Sequence, residues 1–233
     1  INDLGLGVLF GLYDWRFEVL ALVSHAQYLD KKFGVGPHTF SVPRFQPAAS
    51  VDLILPYPVS EKELLKIIAI LRLSVPYTGM IISTRERPEI RAQAFKVGIS
   101  QTSAASRTSP GGYGKKEALE QFRVADQRKV DEILIDVLSK NLLPSFCTAC
   151  YRQGRTGKKF MKLAKTGEIH NFCRPNAILT FKEYLEDYAP EKTKELGLKV
   201  MNKYLKEIKN ENIRKETETR IKRVEKGERD IYF

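Results

Sequence analysis

The first half of the chain alternates short apolar segments with amphipathic ones, and this alternation restricts the fold more than any other feature. Segments typical of strands cover 4–10, 38–42, 79–83 and 99–103, and segments typical of helices cover 15–32, 60–73 and 89–96. Ser60 and Glu63 form a capping box that opens the second helix. Repeated strand–helix units predict an α/β fold with a parallel sheet, in which four strands form the second half of a (β/α)8 TIM-type barrel.

The chain after residue 113 is predicted to be a mainly helical C-terminal domain. A long amphipathic helix is expected over 117–141. Thr180 and Glu183 are expected to form a second capping box, followed by charge-rich helices to the end. The sequence therefore predicts two domains, 1–113 and 114–233.

The net charge of +11 does not by itself indicate a nucleic-acid partner. Lys and Arg are interleaved with Glu, most densely over 191–229, as on solvated helices with ion pairs between neighbouring turns. No basic run contains the interleaved aromatic residues typical of single-strand binders. The sequence also has no apolar run of about 18 residues, so a membrane partner is not expected.

The three cysteines lie in one segment with the pattern C-x2-C-x22-C, formed by Cys147, Cys150 and Cys173. Thiolates at this spacing bind zinc or an iron–sulfur cluster. Their odd count favours a reduced, cytoplasmic setting over a disulfide framework. With His170 they could complete a Cys3His zinc site, or they could bind three irons of a four-iron cluster and leave the fourth iron open. The spacing leaves both alternatives open, with a slight preference for zinc.

Four sequence segments carry a family resemblance: Gly7–Trp15, Gly36–Arg44, Pro76–Glu86 and Ser103–Tyr113. Together with the cysteine pattern they resemble the C-terminal half of the HydG family, the radical-SAM tyrosine lyases of [FeFe]-hydrogenase maturation. The ThiH family, the 2-iminoacetate synthases of the thiamine pathway, is similar in the barrel part but is not expected to carry the cysteine pattern. The resemblance covers nearly the whole chain and departs from the family at Ala105, where glycine is usual.

The resemblance implies the reaction of a complete enzyme, a carbon–carbon lyase. Tyrosine would be cleaved by a radical derived from S-adenosylmethionine into p-cresol and dehydroglycine. Dehydroglycine would then yield CO and cyanide at an auxiliary [4Fe–4S] cluster with an extra "dangler" iron, for assembly of the hydrogenase H-cluster. The implied partners are tyrosine and S-adenosylmethionine as substrates, free cysteine as a candidate ligand of the dangler iron, and the other hydrogenase maturases.

The C-x3-C-x2-C motif that binds the second [4Fe–4S] cluster, the one that cleaves S-adenosylmethionine in this family, is absent from the sequence. The chain is therefore expected to be part of a longer or divided enzyme and to be inactive alone. A protein of another class, a non-enzymatic binding module stabilised by zinc, would account for the cysteines and the charge. It would not account for the four barrel segments.

The resemblance also implies metal ligands. The three cysteines are expected to bind the auxiliary cluster. His25 is expected to bind the dangler iron, with His38 as the alternative, because the family has its auxiliary cluster at the N-terminal ends of the strands and both histidines are predicted there. His170 is expected to lie beside the cluster, or to bind zinc if the site is a zinc site.

Substrate groups are expected at the C-terminal ends of the strands, as in other barrel enzymes. The candidates follow the third and fourth strands: Ser83, Arg85, Arg87, Ser103, Ser106 and Arg107. Arg85 is the first candidate for a bidentate bond to the carboxylate of tyrosine or S-adenosylmethionine, with Arg44 in reserve. For the arginines other than Arg85, a surface ion pair with Glu86 or Glu89 is an equally good explanation.

Overall fold

The chain folds into two compact units, unit 1 from Ile1 to Arg128 and unit 2 from Lys129 to Phe233. The computed structural model describes residues 3–48, 54–113 and 120–233. The domain boundary expected after residue 113 therefore adjoins a segment, 114–119, that lies outside the described residues.

Unit 1 contains a parallel four-stranded sheet in the order β1-β2-β3-β4. Between the first two strands Gly5 pairs with Thr39, and Thr39 pairs in turn with Gly79 of the third strand. Between the third and fourth strands Ile81 pairs with Gln101. The strands are shorter than the sequence predicts, and the helices agree within about one residue. The elements are β1 (Gly5–Gly7), α1 (Trp15–Phe33), β2 (Thr39–Ser41), α2 (Glu61–Ser74), β3 (Gly79–Ile82), α3 (Pro88–Val97) and β4 (Gln101–Thr102).

The core of unit 1 forms where the apolar stripes of the helices pack on the sheet. The stripe of α1 recurs every three or four residues, which places its apolar side chains on one helical face. The fully buried side chains of the sheet are Phe40, Met80 and Ile82. Each buried side chain of this size contributes about 1.5–3 kcal/mol of transfer free energy. The helical residues of this core are Trp15, Val19, Leu22, Ala26, Leu64, Ile67, Ile68, Leu71, Ile90 and Ala94.

The predicted capping box at the start of α2 is confirmed. The Glu63 N–H donates to Ser60 Oγ at 3.2 Å, and the Ser60 N–H donates to Glu63 Oε2 at 2.9 Å. These hydrogen bonds from Ser60 lower the pKa of Glu63. Reciprocal bonds of this kind satisfy donors that the first helical turn leaves unpaired, so the local sequence fixes where α2 begins.

The long helix expected over 117–141 is wrong for most of its described length. Its first three residues lie outside the described residues, 120–129 is irregular apart from turns and bends, and helix α4 covers only Val130–Ser139. The Asp126 N–H donates to the carbonyl of Thr84 at 3.0 Å, across unit 1. Tertiary hydrogen bonding of this kind overrides a helical pattern whose intrinsic preference is weak.

A buried ion-pair network holds this irregular segment. The Asp126 carboxylate is fully buried and pairs with Arg91, which is also buried, and with Arg128. Burial alone would raise the pKa of Asp126, but the hydrogen bonds from Arg128 and the charge of Arg91 outweigh it and lower the pKa. The carboxylate therefore stabilises unit 1 above its ordinary pKa of about 4, and this contribution is lost as the pH falls below that value.

Unit 2 is helical in its described residues, as predicted. Its further elements are α5 (Ala149–Arg152), α6 (Gly157–Thr166), α7 (His170–Asp187), α8 (Glu191–Lys206) and α9 (Glu211–Glu225). The long helices α7, α8 and α9 pack against one another around a core that includes Ile178, Leu179 and Val224. Phe181 and Leu185 of α7 pack with Val200 of α8 and Leu138 of α4 in a second cluster.

The predicted capping box at Thr180 and Glu183 is wrong. Thr180 lies in the middle of α7, and its hydroxyl donates to the carbonyl of Asn176 at 2.9 Å. The helix continues through Pro175, which lies in its second turn and removes one intrahelical hydrogen bond there. Burial of α7 between its neighbours keeps the helix continuous past a residue that locally favours a start.

Among the described residues, no helix is long and apolar enough to cross a membrane.

We predict that Asp126→Asn destabilises unit 1 by about 3–5 kcal/mol, because the buried Arg91 loses its counter-charge. Urea unfolding at neutral pH measures the change. Asp187→Asn is the matched control, since Asp187 pairs with Arg229 at 2.5 Å on the surface and such pairs contribute about 0–1 kcal/mol. Equal, small losses for both variants would contradict a stabilising role of the buried pair.

Candidate functional site

Three thiols from two separate parts of unit 2 lie near one another. Cys147 and Cys150 lie at the start of α5, and Cys173 lies in the first turn of α7. Helix α6 and the turns on either side of it account for the residues between them. Cys147 and Cys150 both act electrostatically on the Cys173 thiol. The fold thus brings together the three cysteines expected to bind metal.

The surroundings of Cys147 and Cys173 favour the protonated thiol, because they raise the pKa of both groups. Cys173 reaches solvent, but enough protein surrounds its sulfur that burial, followed by the two neighbouring thiols, raises its pKa to about 11. Burial likewise raises the pKa of Cys147. A metal that binds here must displace these protons, so its uptake is coupled to proton release.

An open recess lies directly beside Cys173. His170, exposed at the start of α7, contributes one wall, and Arg174 and Tyr204 contribute others. Arg174 is held by the Glu207 carbonyl at 3.0 Å. The recess leaves Cys173 accessible from solvent on this side.

Arg155, which lies between Cys150 and Cys173 in the sequence, is a buried cation, and no pattern in the sequence distinguishes it from its basic neighbours. Its side chain is 8% exposed. Nη2 donates to the main-chain oxygen of Phe233, the last residue of the chain, at 2.5 Å, and the guanidinium lies 4.6 Å from the ring centre of Phe172. Its backbone N–H donates to the Cys150 carbonyl at 2.8 Å. In the described part of the chain, Arg155 Nε has no hydrogen-bond partner.

The donors of this site fit an anionic metal group. Within residues 3–48, 54–113 and 120–233, no group of three His, Cys, Asp or Glu side chains is placed to hold one ion. An iron–sulfur cluster binds each thiolate through a different iron, and its negative charge favours nearby N–H donors. Three thiols beside an orphaned, buried Arg155 donor fit such an anionic group.

The two histidines expected to bind the dangler iron lie in unit 1. His25 is exposed on α1 and lines a groove along β1 with Leu22. His38 is half-buried directly before β2, and its Nδ1 lies 4.0 Å from Asp3 Oδ1. The assignment of His25, or alternatively His38, to the dangler iron stays a prediction.

Arg85 follows β3 and is half-buried. Its guanidinium lies 3.7 Å from the centre of the Phe122 ring, and its backbone N–H donates to Ser83 Oγ at 3.3 Å. Burial lowers the pKa of Arg85, and the charge of Glu86 partly opposes this. No ion pair involves Arg85 among the residues that the structure describes. Stacking on Phe122 therefore holds the guanidinium at the C-terminal end of β3, where no carboxylate among the described residues pairs with it directly.

The other strand-end arginines have structural partners. Arg87 is exposed and binds Glu61 through two nitrogens, at 2.8 and 3.0 Å. Arg44 donates to the buried carboxylate of Glu86. These bonds leave Arg87 and Arg44 less available to a substrate carboxylate than Arg85.

The residues that follow β4 include one strained position. The Ser103 carbonyl accepts a hydrogen bond from Arg91, and exposed Arg107 donates to the Ser106 carbonyl at 3.2 Å. Ala105 has a φ of 52°, in the left-handed region that glycine adopts most easily. This conformation agrees with the glycine that the family resemblance predicts at this position, and alanine here costs about 1–2 kcal/mol.

Part of the chain matches a known domain family and two characterised enzymes. Residues 41–142 match the Biotin and Thiamin Synthesis associated domain. The 2-iminoacetate synthase of Salmonella typhimurium is 33% identical over 147 residues, which is 62% of this chain and 38% of that protein. The Escherichia coli 2-iminoacetate synthase is 32% identical over the same length.

Two solved structures resemble the chain over nearly its whole length. A crystal structure of HydG, a maturase of the [FeFe]-hydrogenase, has a TM-score of 0.95 and 53% identity, and covers 100% of this chain and 51% of that chain. HydG from Carboxydothermus hydrogenoformans has a TM-score of 0.75 and 41% identity, and covers 95% and 48% respectively. The chain thus spans about half the length of these structures. The comparisons confirm the predicted resemblance to HydG and the predicted combination of a partial barrel with a helical domain.

Proposed function

Since the chain resembles the C-terminal part of HydG over its full length, we propose that it forms that part of a radical-SAM tyrosine lyase of [FeFe]-hydrogenase maturation. The complete enzyme would cleave tyrosine to p-cresol and dehydroglycine. It would then convert dehydroglycine to CO and cyanide for the H-cluster. This chain would supply half of the barrel and the auxiliary metal site, with the other hydrogenase maturases as partners.

The observation that carries this proposal is that three cysteine thiols lie near one another in unit 2. Cys147, Cys150 and Cys173 all lie beyond residue 142, where the match to the Biotin and Thiamin Synthesis associated domain ends. They lie within the region covered by the HydG structure. The cysteine site therefore favours a HydG-like activity over that of the 2-iminoacetate synthases, whose match covers 62% of the chain.

The residues of unit 2 would hold an auxiliary [4Fe–4S] cluster. When bound, such a cluster with its dangler iron supplies the metal site for forming CO and cyanide. The three cysteines provide the thiolates, and the recess beside Cys173 gives access from solvent. His25 or His38 remains our candidate for the dangler iron. S-adenosylmethionine and the cluster that cleaves it would be bound elsewhere in the complete enzyme.

Arg85 would bind the carboxylate of tyrosine or S-adenosylmethionine at the strand ends. Its stacking on Phe122 orders the guanidinium in advance, which reduces the entropy lost on binding. The remaining strand-end candidates, Ser83, Ser103 and Arg107, would line the same edge of the sheet. Arg87 stays a weaker candidate because Glu61 already binds it.

We expect Arg85→Lys in the complete enzyme to raise the KM for tyrosine or S-adenosylmethionine about 10- to 100-fold. Lysine keeps the charge but cannot form the bidentate bond, which is worth about 1.5–3 kcal/mol. Arg87→Lys is the control and should leave both constants nearly unchanged. Steady-state rates of p-cresol release, measured at varied tyrosine and at varied S-adenosylmethionine, give both KM values for each variant. If both variants match the unsubstituted enzyme, Arg85 does not bind either carboxylate.

The metal content of the chain tests the proposed function directly. Anaerobic reconstitution with iron and sulfide should give about four or five irons per chain, visible absorption and an electron paramagnetic resonance signal. Cys147→Ala should lose the signal. One tightly bound zinc per chain, without colour or iron uptake, would instead support a zinc-stabilised binding module and overturn the enzyme assignment.

A second prediction separates the two reaction steps. In the complete enzyme, Cys173→Ser should abolish formation of CO and cyanide while p-cresol release continues, because the thiol belongs to the auxiliary site and not to the strand-end site. Gas analysis, cyanide derivatisation and p-cresol chromatography on one sample measure all three products. Equal loss of all three would show that the steps do not use separate sites.

A further inference from the structure

The buried guanidinium of Arg155 is the group in unit 2 whose position is least explained by packing alone. Burial of a charge is costly unless another charge or several hydrogen bonds compensate for it. Arg155 is 8% exposed, and in the described part of unit 2 it forms no ion pair with a carboxylate side chain. Nη2 donates to the main-chain oxygen of Phe233, the last residue of the chain, and the guanidinium lies on an aromatic ring. Neither contact uses Nε, so this buried donor still needs an acceptor.

The acceptor that fits Nε is a group bound by the cysteines. The backbone N–H of Arg155 donates a hydrogen bond to the Cys150 carbonyl at 2.8 Å. The positive charge of the Arg155 guanidinium acts on the thiols of Cys147 and Cys173. Its Nε–H is buried and has no hydrogen-bond partner among the described residues. A donor of this kind can bind a sulfide or thiolate sulfur, and such bonds tune the reduction potentials of iron–sulfur clusters.

The chain also holds Arg155 in place from a distance in sequence. Phe233 accepts from Arg155 Nη2 at 2.5 Å, and the Phe233 N–H donates to Asn176 Oδ1 of α7 at 2.8 Å. Arg220 of α9 lies 4.0 Å from the centre of the Phe233 ring. These contacts join residue 233 to two helices, so the guanidinium is oriented by the packed helices and not only by its own loop.

We propose that Arg155 is a positioning residue that stabilises the negative charge of the iron–sulfur group held by Cys147, Cys150 and Cys173, and that residue 233 orients it. The inference rests on the proposed function, since it requires a cluster at the cysteines. A nearby positive charge stabilises the more negative, reduced cluster more than the oxidised one, and therefore raises the reduction potential.

The test compares three variants of this chain, Arg155→Gln, Arg155→Lys and Arg152→Gln, after anaerobic reconstitution with iron and sulfide. Arg152 is the matched control, because it lies three residues away, is exposed and pairs with Asp230 at 3.1 Å. A redox titration followed by electron paramagnetic resonance measures the midpoint potential. Iron and sulfide analysis gives occupancy, and circular dichroism verifies that unit 2 remains helical.

Arg155→Gln should disfavour one-electron reduction by tenfold or more, a shift of at least about 59 mV towards negative potential. Arg155→Lys should shift the potential less, because it keeps the charge but loses the oriented donor. Arg152→Gln should match the unsubstituted chain. If Arg155→Gln cannot retain the cluster, the Arg155→Lys shift decides, since that variant keeps a cation.

Two results would overturn the inference, and they are distinguishable. A full cluster with an unchanged potential in both Arg155 variants would show that the arginine serves packing only, while the proposed function stands. Uptake of zinc in place of iron by the unsubstituted chain would remove the proposed function and this inference together.

Discussion

Parallel hydrogen bonding between the four strands of unit 1 is the constraint on which the rest of that unit depends. Parallel strands need a crossover between each pair, and here the helices supply it while burying their apolar stripes on the sheet. The same geometry brings every strand C-terminus to one edge. Arg85 and the residues after β4 acquire a common location from this pairing, although more than fifteen residues separate them along the chain.

Two buried arginines show how the same side chain can serve different ends. Arg91 in unit 1 meets the buried carboxylate of Asp126, so its charge is compensated by the protein and its role is to anchor an irregular segment. Arg155 in unit 2 contacts the main-chain oxygen of Phe233 and a ring, while its Nε has no partner among the described residues. A buried donor left unpaired beside three thiols indicates a ligand.

The cysteine site gains its character from the helices that surround it. Burial and mutual repulsion disfavour the thiolate form of Cys173, so the site is unfavourable for charge until a metal group replaces the protons. The core that α7 forms with α8 and α9 is made of apolar side chains and does not use the thiols. The packed helices therefore leave the thiols available to a metal group, which needs ligands held by a well-packed surrounding.

The sequence by itself determined the strand–helix order, the capping box at Ser60, the grouping of the cysteines and the family resemblance, because each depends on local pattern or short spacing. Tertiary structure decided the rest. Residues 120–129 are not helical as predicted, because the buried Asp126 forms hydrogen bonds with distant parts of unit 1. Thr180 lies in the middle of α7 and does not begin a helix, because α7 is packed between its neighbours. Arg155 differs from the other basic residues of its loop only in being buried against Phe172 and residue 233. Such contacts join residues distant in sequence, and no local pattern encodes them.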